Sequence, residues 1–265
     1  AIKNGEKVVA MVAPAIFGQL PCTPQQLKDA ILSLGFADVI EVAEGADITT
    51  KNEAAEFKER MEEGQKFMTT SCCAGYNELV EKHVPELKPF RSETKTPAYY
   101  TAEIVKKENP NVKTVFFSPC IAKRREATQN PNIDYVLNYD ELGAWFVALN
   151  VQVTNFEGSE FRKECSAQAR NFAVTGGVAG AVNALLEDDE KAKPYIVDGL
   201  NKQTIRDLKK FAKNGACELG NLIEVMACPG GCLGGSNTIN AYKPALKQLS
   251  AYVDDSPEIK DVLKK

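Results

Sequence analysis

Val8-Val9-Ala10-Met11-Val12, closed by Ala13-Pro14-Ala15, reads as a buried strand running into a turn of small residues. A helix follows over Thr23 to Leu34. Thr23 and Gln26 have capping-box spacing, Pro24 suits the first helical position, and Gly35 supplies a stop. The same order of apolar run and small turn recurs along the chain. Lys66 to Met68 precedes Thr70-Ser71-Cys72-Cys73, and Val115 to Phe117 precedes Ser118-Pro119-Cys120. Phe172 to Val174 precedes Thr175-Gly176-Gly177, and Leu222 to Met226 precedes Ala227-Cys228.

Helical patterns lie between these runs: Glu53 to Glu63, Tyr76 to Lys82, Ala98 to Lys107, Glu141 to Leu149, Val178 to Leu186 and Gln203 to Lys213. Two more close the chain, around Leu246 and Ile259. Apolar strands alternating with amphipathic helices predict an α/β fold of two similar lobes, each a parallel sheet flanked by helices. Ligands of such sheets sit beyond the carboxyl ends of the strands, so the turns should share one cleft. The expected organisation is one domain over residues 1–265. Lobe one runs to about 109, lobe two covers about 110–240, and closing helices fill 241–265, with the Asn109 to Val112 segment around Pro110 as the joint.

Composition narrows the function. At 265 residues and 44% hydrophobic content the chain can bury a large core, and a net charge of −4 without long basic runs makes nucleic acid an unsuitable partner. The Lys123-Arg124-Arg125 group is too short for that role. No apolar stretch reaches the roughly 18 residues of a membrane span, and Ala1 opens no signal-peptide pattern, so a cytoplasmic location is expected. Eight cysteines are too sparse for a secreted disulfide scaffold; in a reducing compartment, clustered thiols serve as metal ligands or catalytic groups.

In Cys228-Pro229-Gly230-Gly231-Cys232 the spacer lets both thiolates reach one compact centre, and the paired glycines should leave N–H groups free to bond sulfur. Cys72 and Cys73 are adjacent and project differently, so one can ligate while the other lines the pocket beside it. Cys120 adds a fourth sulfur from another strand end. Thiolates of this kind suit an iron–sulfur cluster or zinc, and buried unliganded thiols are the bland alternative; ordinary C-x-x-C knuckles are absent. Cys22, Cys165 and Cys217 have no partner at ligand spacing and read as inert. His83 reads as structural.

The cysteine segments together resemble the catalytic domain of the [FeFe] (iron-only) hydrogenases. That family carries T-S-C-C-P-G-W, P-C-x-x-K-x-x-E and E-x-M-A-C-x-x-G-C; this chain has TSCCAGY, PCIAKRRE and EVMACPGGC in the same order. The resemblance implies an H-cluster: a [4Fe–4S] cubane joined through a cysteine sulfur to a diiron subcluster with CO, CN and azadithiolate ligands. It implies that Cys73, Cys120, Cys228 and Cys232 hold the cubane, with Cys232 as the bridge. Cys72 would give and take protons, Lys123 would bond a cyanide, and Met226, Pro14, Ala13 and Phe172 would pack around the cluster.

The implied proton route runs from Cys72 through Glu53, Ser92 and Glu56 to Arg60; Glu53, Glu56 and Arg60 fall on one helix face. Read without the resemblance, Glu56 and Arg60 are an ordinary surface i, i+4 pair. The implied activity is reversible reduction of protons to H2. Its expected partners are a ferredoxin or electron-transfer subunit and the hydrogenase maturation proteins. Some positions depart from the family pattern: Ala74, Tyr76, Ser118, Ala15, Ala98 and Gly234-Gly235-Ser236. These bear on rate, bias and oxygen tolerance, and leave open a divergent H2-sensing subgroup. A further alternative is an assembly factor that keeps the cubane ligands without the diiron unit.

Overall fold

The computed structural model describes residues 1–264. In chain order its elements are β1 (Val8–Val12), α1 (Pro24–Ser33), β2 (Asp38–Glu41), α2 (Ala43–Glu62), β3 (Met68–Thr69), α3 (Ala74–His83), α4 (Pro97–Glu108), β4 (Lys113–Ser118) and α5 (Ala122–Ala127). Then come β5 (Tyr135–Asn138), α6 (Tyr139–Ala148), α7 (Ala167–Arg170), α8 (Gly177–Leu185), β6 (Pro194–Asp198), α9 (Lys202–Asn214), β7 (Leu222–Met226), α10 (Tyr242–Asp254) and α11 (Ile259–Val262).

The strands form two sheets, ordered β2-β1-β4-β5 and β3-β7-β6, and the ladders within both are parallel. Helices cover both faces, which is why β1 is buried at all five positions. Val8, Ala10 and Val12 face a core with α1, α6 and α10. Val9 and Met11 face the opposite core with Ala98, Ala102 and Val105 of α4. In the second sheet Ile223 and Val225 pack against Tyr76 and Val80 of α3 and Leu208 of α9.

The sheets interleave in sequence instead of dividing near residue 109. β1 and β2 precede that point and β4 and β5 follow it in one sheet; β3 precedes it while β6 and β7 follow it in the other. The cause is α2, which leaves the end of β2 and carries the chain to β3, after which α4 brings it back to β4. At 20 residues α2 is about 30 Å long, enough to cross from one sheet to the other.

α2 begins ten residues before the expected Glu53. Gly45 hid that first part, since glycine inside a helix usually signals a break. Here it is a packing contact. A Cβ on Gly45 would lie 2.1 Å from the carbonyl oxygen of Pro97 and 2.5 Å from Thr101 Oγ1, so α2 and α4 touch at backbone distance. Phe172 to Val174 is likewise not a strand. Asn171–Ala173 form a single 3-10 turn whose apolar residues are buried among helices. β2, β5 and β6 had no counterpart among the apolar runs. The helix at Thr23 appears as expected, with reciprocal bonds between Thr23 and Gln26 of 3.0 and 3.1 Å.

Candidate metal centre

The thiol-bearing turns leave the carboxyl ends of β3, β4 and β7. Cys73 is the N-cap of α3, and its Sγ accepts the N–H of Ala227 from the end of β7 at 3.4 Å. Cys120 follows β4, its N–H bonded to Ser118 Oγ at 3.3 Å. The two sheets meet here, because Lys123 Nζ from the β4 side donates to the Cys72 carbonyl on the β3 side at 3.1 Å.

Cys228 and Cys232 bracket a loop in which Gly230 and Gly231 take φ of 79° and 75°. A Cβ on Gly231 would sit 2.8 Å from the N of Thr175, so only glycine lets this loop lie against the turn after Phe172. The glycine N–H groups are not free, contrary to the sequence expectation. Gly230 N–H donates to Asp198 Oδ1 at 2.6 Å, and Gly231 N–H to the Cys228 carbonyl at 3.1 Å.

All four thiols are half-buried. Burial pushes Cys232 up to about 12, and the nearby thiols of Cys73, Cys120 and Cys228 add to the rise while Lys123 opposes it. Burial also raises Cys228, helped by Cys120 and Cys73. Cys232 thus lies within the field of the other three thiols, and Cys228 within that of Cys73 and Cys120. Among the described residues no three His, Cys, Asp or Glu side chains are close enough to hold a single metal ion. Thiolates on one zinc sit about 2.3 Å from it. Soft sulfur donors converging from four positions suit a polynuclear iron–sulfur body.

Cys72 packs with Cys73 against Ala43, Ala46, Phe172 and Met226. Burial holds its thiol well above the usual range, and the carboxyls of Glu53 and Glu224 push it further. Glu53 is fully buried on α2. Burial lifts it to about 8, against the opposing effect of a 3.2 Å bond from the Ser71 N–H and the nearby Ser92 hydroxyl. Its Oε2 is buried without a partner among the described residues.

Ser92 is anchored by its N–H to the Thr69 carbonyl at 2.8 Å, which places it beside β3. Its hydroxyl lies near Glu53 but donates to Glu56 Oε2, at 2.6 Å. Glu56 also accepts the Glu93 N–H at 2.8 Å and the Thr94 hydroxyl at 2.8 Å, and pairs with Arg60 at 2.7 Å. Burial would raise Glu56, but these donors outweigh it and hold the carboxyl below its ordinary value. Arg60 goes on to the Pro89 carbonyl at 2.8 Å and the Arg91 carbonyl at 3.2 Å. Glu56 and Arg60 are therefore not a freely exposed surface pair; their side chains keep only 16% and 15% exposure.

Two carboxylates escaped the sequence reading although each begins or ends one of its motifs. Glu126 closes PCIAKRRE; it pairs with Lys123 at 2.6 Å and accepts the Thr96 hydroxyl at 2.6 Å. Burial would strip the Lys123 proton, but Glu126 and the thiols of Cys232 and Cys72 hold its pKa above normal. Glu224 opens EVMACPGGC. It is buried in β7, accepts the N–H groups of Gly176 and Ala179 at 2.7 and 2.8 Å at the start of α8, and is pushed by burial up to about 7.

The remaining wall residues are also placed. Ala13 receives the Tyr139 hydroxyl on its carbonyl at 3.2 Å, and Pro14 opens the 3-10 turn after it. Phe172 and Met226 line the Cys72 side. Tyr76, standing at the family's tryptophan position, is fully buried with its hydroxyl 2.7 Å from Thr69 Oγ1, and Ser118 is fully buried at the end of β4. Cys22 stands just before α1 and Cys217 just after α9, while Cys165 is fully buried in the same apolar cluster that Cys72 and Cys73 pack against.

Two interleaved parallel sheets with five thiols at their strand ends, beside a row of acids on α2, define an α/β protein with a thiol-lined candidate centre. Residues 6–236 match the family described as the iron only hydrogenase large subunit, C-terminal domain, and the chain belongs to that family. It is 30% identical to iron hydrogenase 1 of Clostridium pasteurianum over 278 residues, 86% of this chain and 48% of the relative. The chain spans about half the length of the first curated relatives it matches. A shorter likeness, 27% over 119 residues (43% of this chain, 26% of the relative), links it to the cytosolic Fe-S cluster assembly factor NAR1 of Eremothecium gossypii. In fold it resembles a solved [FeFe]-hydrogenase of Chlamydomonas reinhardtii, with a TM-score of 0.76 at 18% identity, over 97% of this chain and 87% of that one. No helix among the described residues is long and apolar enough to cross a membrane.

Proposed function

We propose that this chain is the H-cluster domain of an [FeFe] hydrogenase, interconverting H2 with two protons and two electrons. Cys73, Cys120, Cys228 and Cys232 would hold a [4Fe–4S] cubane, with Cys232 extending to a diiron unit that carries CO, CN and an azadithiolate. The bound cluster supplies the redox chemistry and a basic amine; the protein's own residues position it and move protons.

The observation that carries the reading is the convergence of Cys72 and Lys123. A cubane alone needs four thiols. This site adds a fifth thiol beside them, a cation whose Nζ donates to the Cys72 backbone carbonyl at 3.1 Å, and a row of acids leading outward. Cys72 exchanges protons with the Glu53 carboxyl. Ser92 links that carboxyl's surroundings to Glu56, and Arg60 holds Glu56 at the outer end. Glu126 fixes the Lys123 ammonium, which suits an anionic cyanide in a dry pocket. Phe172, Met226, Ala13 and Pro14 close the walls. A ferredoxin or electron-transfer subunit would supply electrons, maturation proteins would install the diiron unit, and the setting would be cytoplasmic.

Infrared spectroscopy of protein matured with a diiron cofactor tests this. The expected result is CO and cyanide bands together with H2 formation from a reduced dye. The likeness to NAR1 favours a second reading, a cubane-only assembly factor. Under that reading matured protein retains cubane iron and shows neither band. Bands with very slow turnover would instead mark an H2 sensor.

A further inference from the structure

We propose that Asp198 sets the reduction potential of the cubane from outside its ligand shell. The inference rests on the assignment of Cys73, Cys120, Cys228 and Cys232 as cubane ligands. Asp198 is the last residue of β6, in register with Met226 of β7, and its side chain is exposed. One oxygen, Oδ1, receives both the Thr175 hydroxyl at 2.8 Å and the Gly230 N–H at 2.6 Å. It therefore ties the turn after Phe172 to the loop that bears Cys228 and Cys232. The same two segments touch at Gly231.

Two electrostatic consequences have the same sign. A carboxylate hydrogen-bonded to the ligand loop disfavours adding an electron to the cluster. The bond also takes the Gly230 N–H, a donor that could otherwise turn toward a cluster sulfur and stabilise the reduced state. Net charge, hydrogen bonds to sulfur and exposure are the main protein controls on such potentials. Asp198 acts on two of them. It is a positioning residue, since it acts on the cluster through Gly230 and Thr175.

The test uses the native chain, D198N and D198A, each reconstituted anaerobically with iron and sulfide and lacking the diiron unit. Iron content and the spectrum of the reduced cluster report loading; a redox titration followed by that spectrum reports the potential. D198N keeps an acceptor at Oδ1 and removes the charge. It should load like the native chain and titrate at a more positive potential, with the difference shrinking in high salt. D198A also frees the Gly230 N–H and should move further in the same direction. If D198A fails to load, D198N alone decides. A D198N chain that loads fully and keeps the native potential at low salt overturns the inference. A native chain that takes up no cubane overturns the ligand assignment, and the inference with it.

Discussion

The Ser92 hydroxyl donates to Glu56 Oε2 at 2.6 Å, and that bond joins the buried part of the acid row to its outer part. Glu53 stands on the buried side and Arg60 on the outer side, both on α2 with Glu56, while Ser92 comes from a different segment. The proposed relay, split over two segments, would depend on this one joint.

S92A removes the hydroxyl and leaves a small gap that a methyl cannot bridge. H2 formation in matured protein should fall by about 100-fold, the low end of what a proton-transferring group contributes. Iron per chain and the CO and cyanide bands should not change. S92T, which keeps a hydroxyl, should recover most of the rate. An S92A protein with native turnover would remove Ser92 from the route.

Glu53 makes a prediction about stability. Its carboxyl is raised from 4.5 to about 8 by burial, so the folded chain holds a proton that the unfolded chain gives up. Its contribution is fully present below about 4.5 and is lost as pH rises through 8. At about 1.4 kcal/mol per unit the loss has an upper bound of about 5 kcal/mol. E53Q carries no titrating proton. Urea midpoints of the cluster-free native chain should therefore drop between pH 5.5 and 8.5 more than those of E53Q, and the two curves should converge at the acidic end. Parallel curves would show that Glu53 is ionised in the folded protein.

The strands β1, β3, β4 and β7, the cysteine-bearing turns after three of them and the first helix cap were legible because each has a local signature: an apolar run, a Cys spacing, a Thr-Pro-Gln start. What was not legible depended on partners far along the chain. Gly45 reads as a break until Pro97 is seen against it. The interleaving of the sheets follows from where α2 and α4 pack, which no window of sequence contains. Glu224 and Glu126 were quoted inside motifs yet passed over, since their roles appear only with the α8 N-terminus and the Lys123 ammonium in place. Asp198 is isolated in sequence and matters through Thr175 and Gly230.

Gly45 gives the sharpest packing test. In G45A the new methyl would meet the Pro97 carbonyl at 2.1 Å, so α2 and α4 must separate. Overpacking of this kind costs about 1–3 kcal/mol. Thermal unfolding should shift down by several degrees, and because α2 carries Glu53 and Glu56, H2 formation should fall with it. G64A, where nothing lies within 4 Å of the added methyl but φ is +89°, should lose stability without that loss of turnover.

The cysteines themselves can be sorted by iron. Cys73, Cys120 and Cys228 all act on the Cys232 thiol at the strand ends, whereas Cys22 precedes α1 and Cys217 follows α9. Removing one corner of a four-thiol site exposes an iron to water and weakens every remaining bond to the cluster. C73S, C120S, C228S and C232S should each lose most of the four irons expected per chain on anaerobic reconstitution. C22S and C217S should keep them. C72S is the decisive member of the set. It should load iron like the native chain, because the proposed assignment gives Cys72 no iron, and then fail in H2 formation by about 100-fold or more, because serine in its place is a far poorer proton donor. Loss of cubane iron in C72S would instead make Cys72 a ligand and release Cys73 from that role.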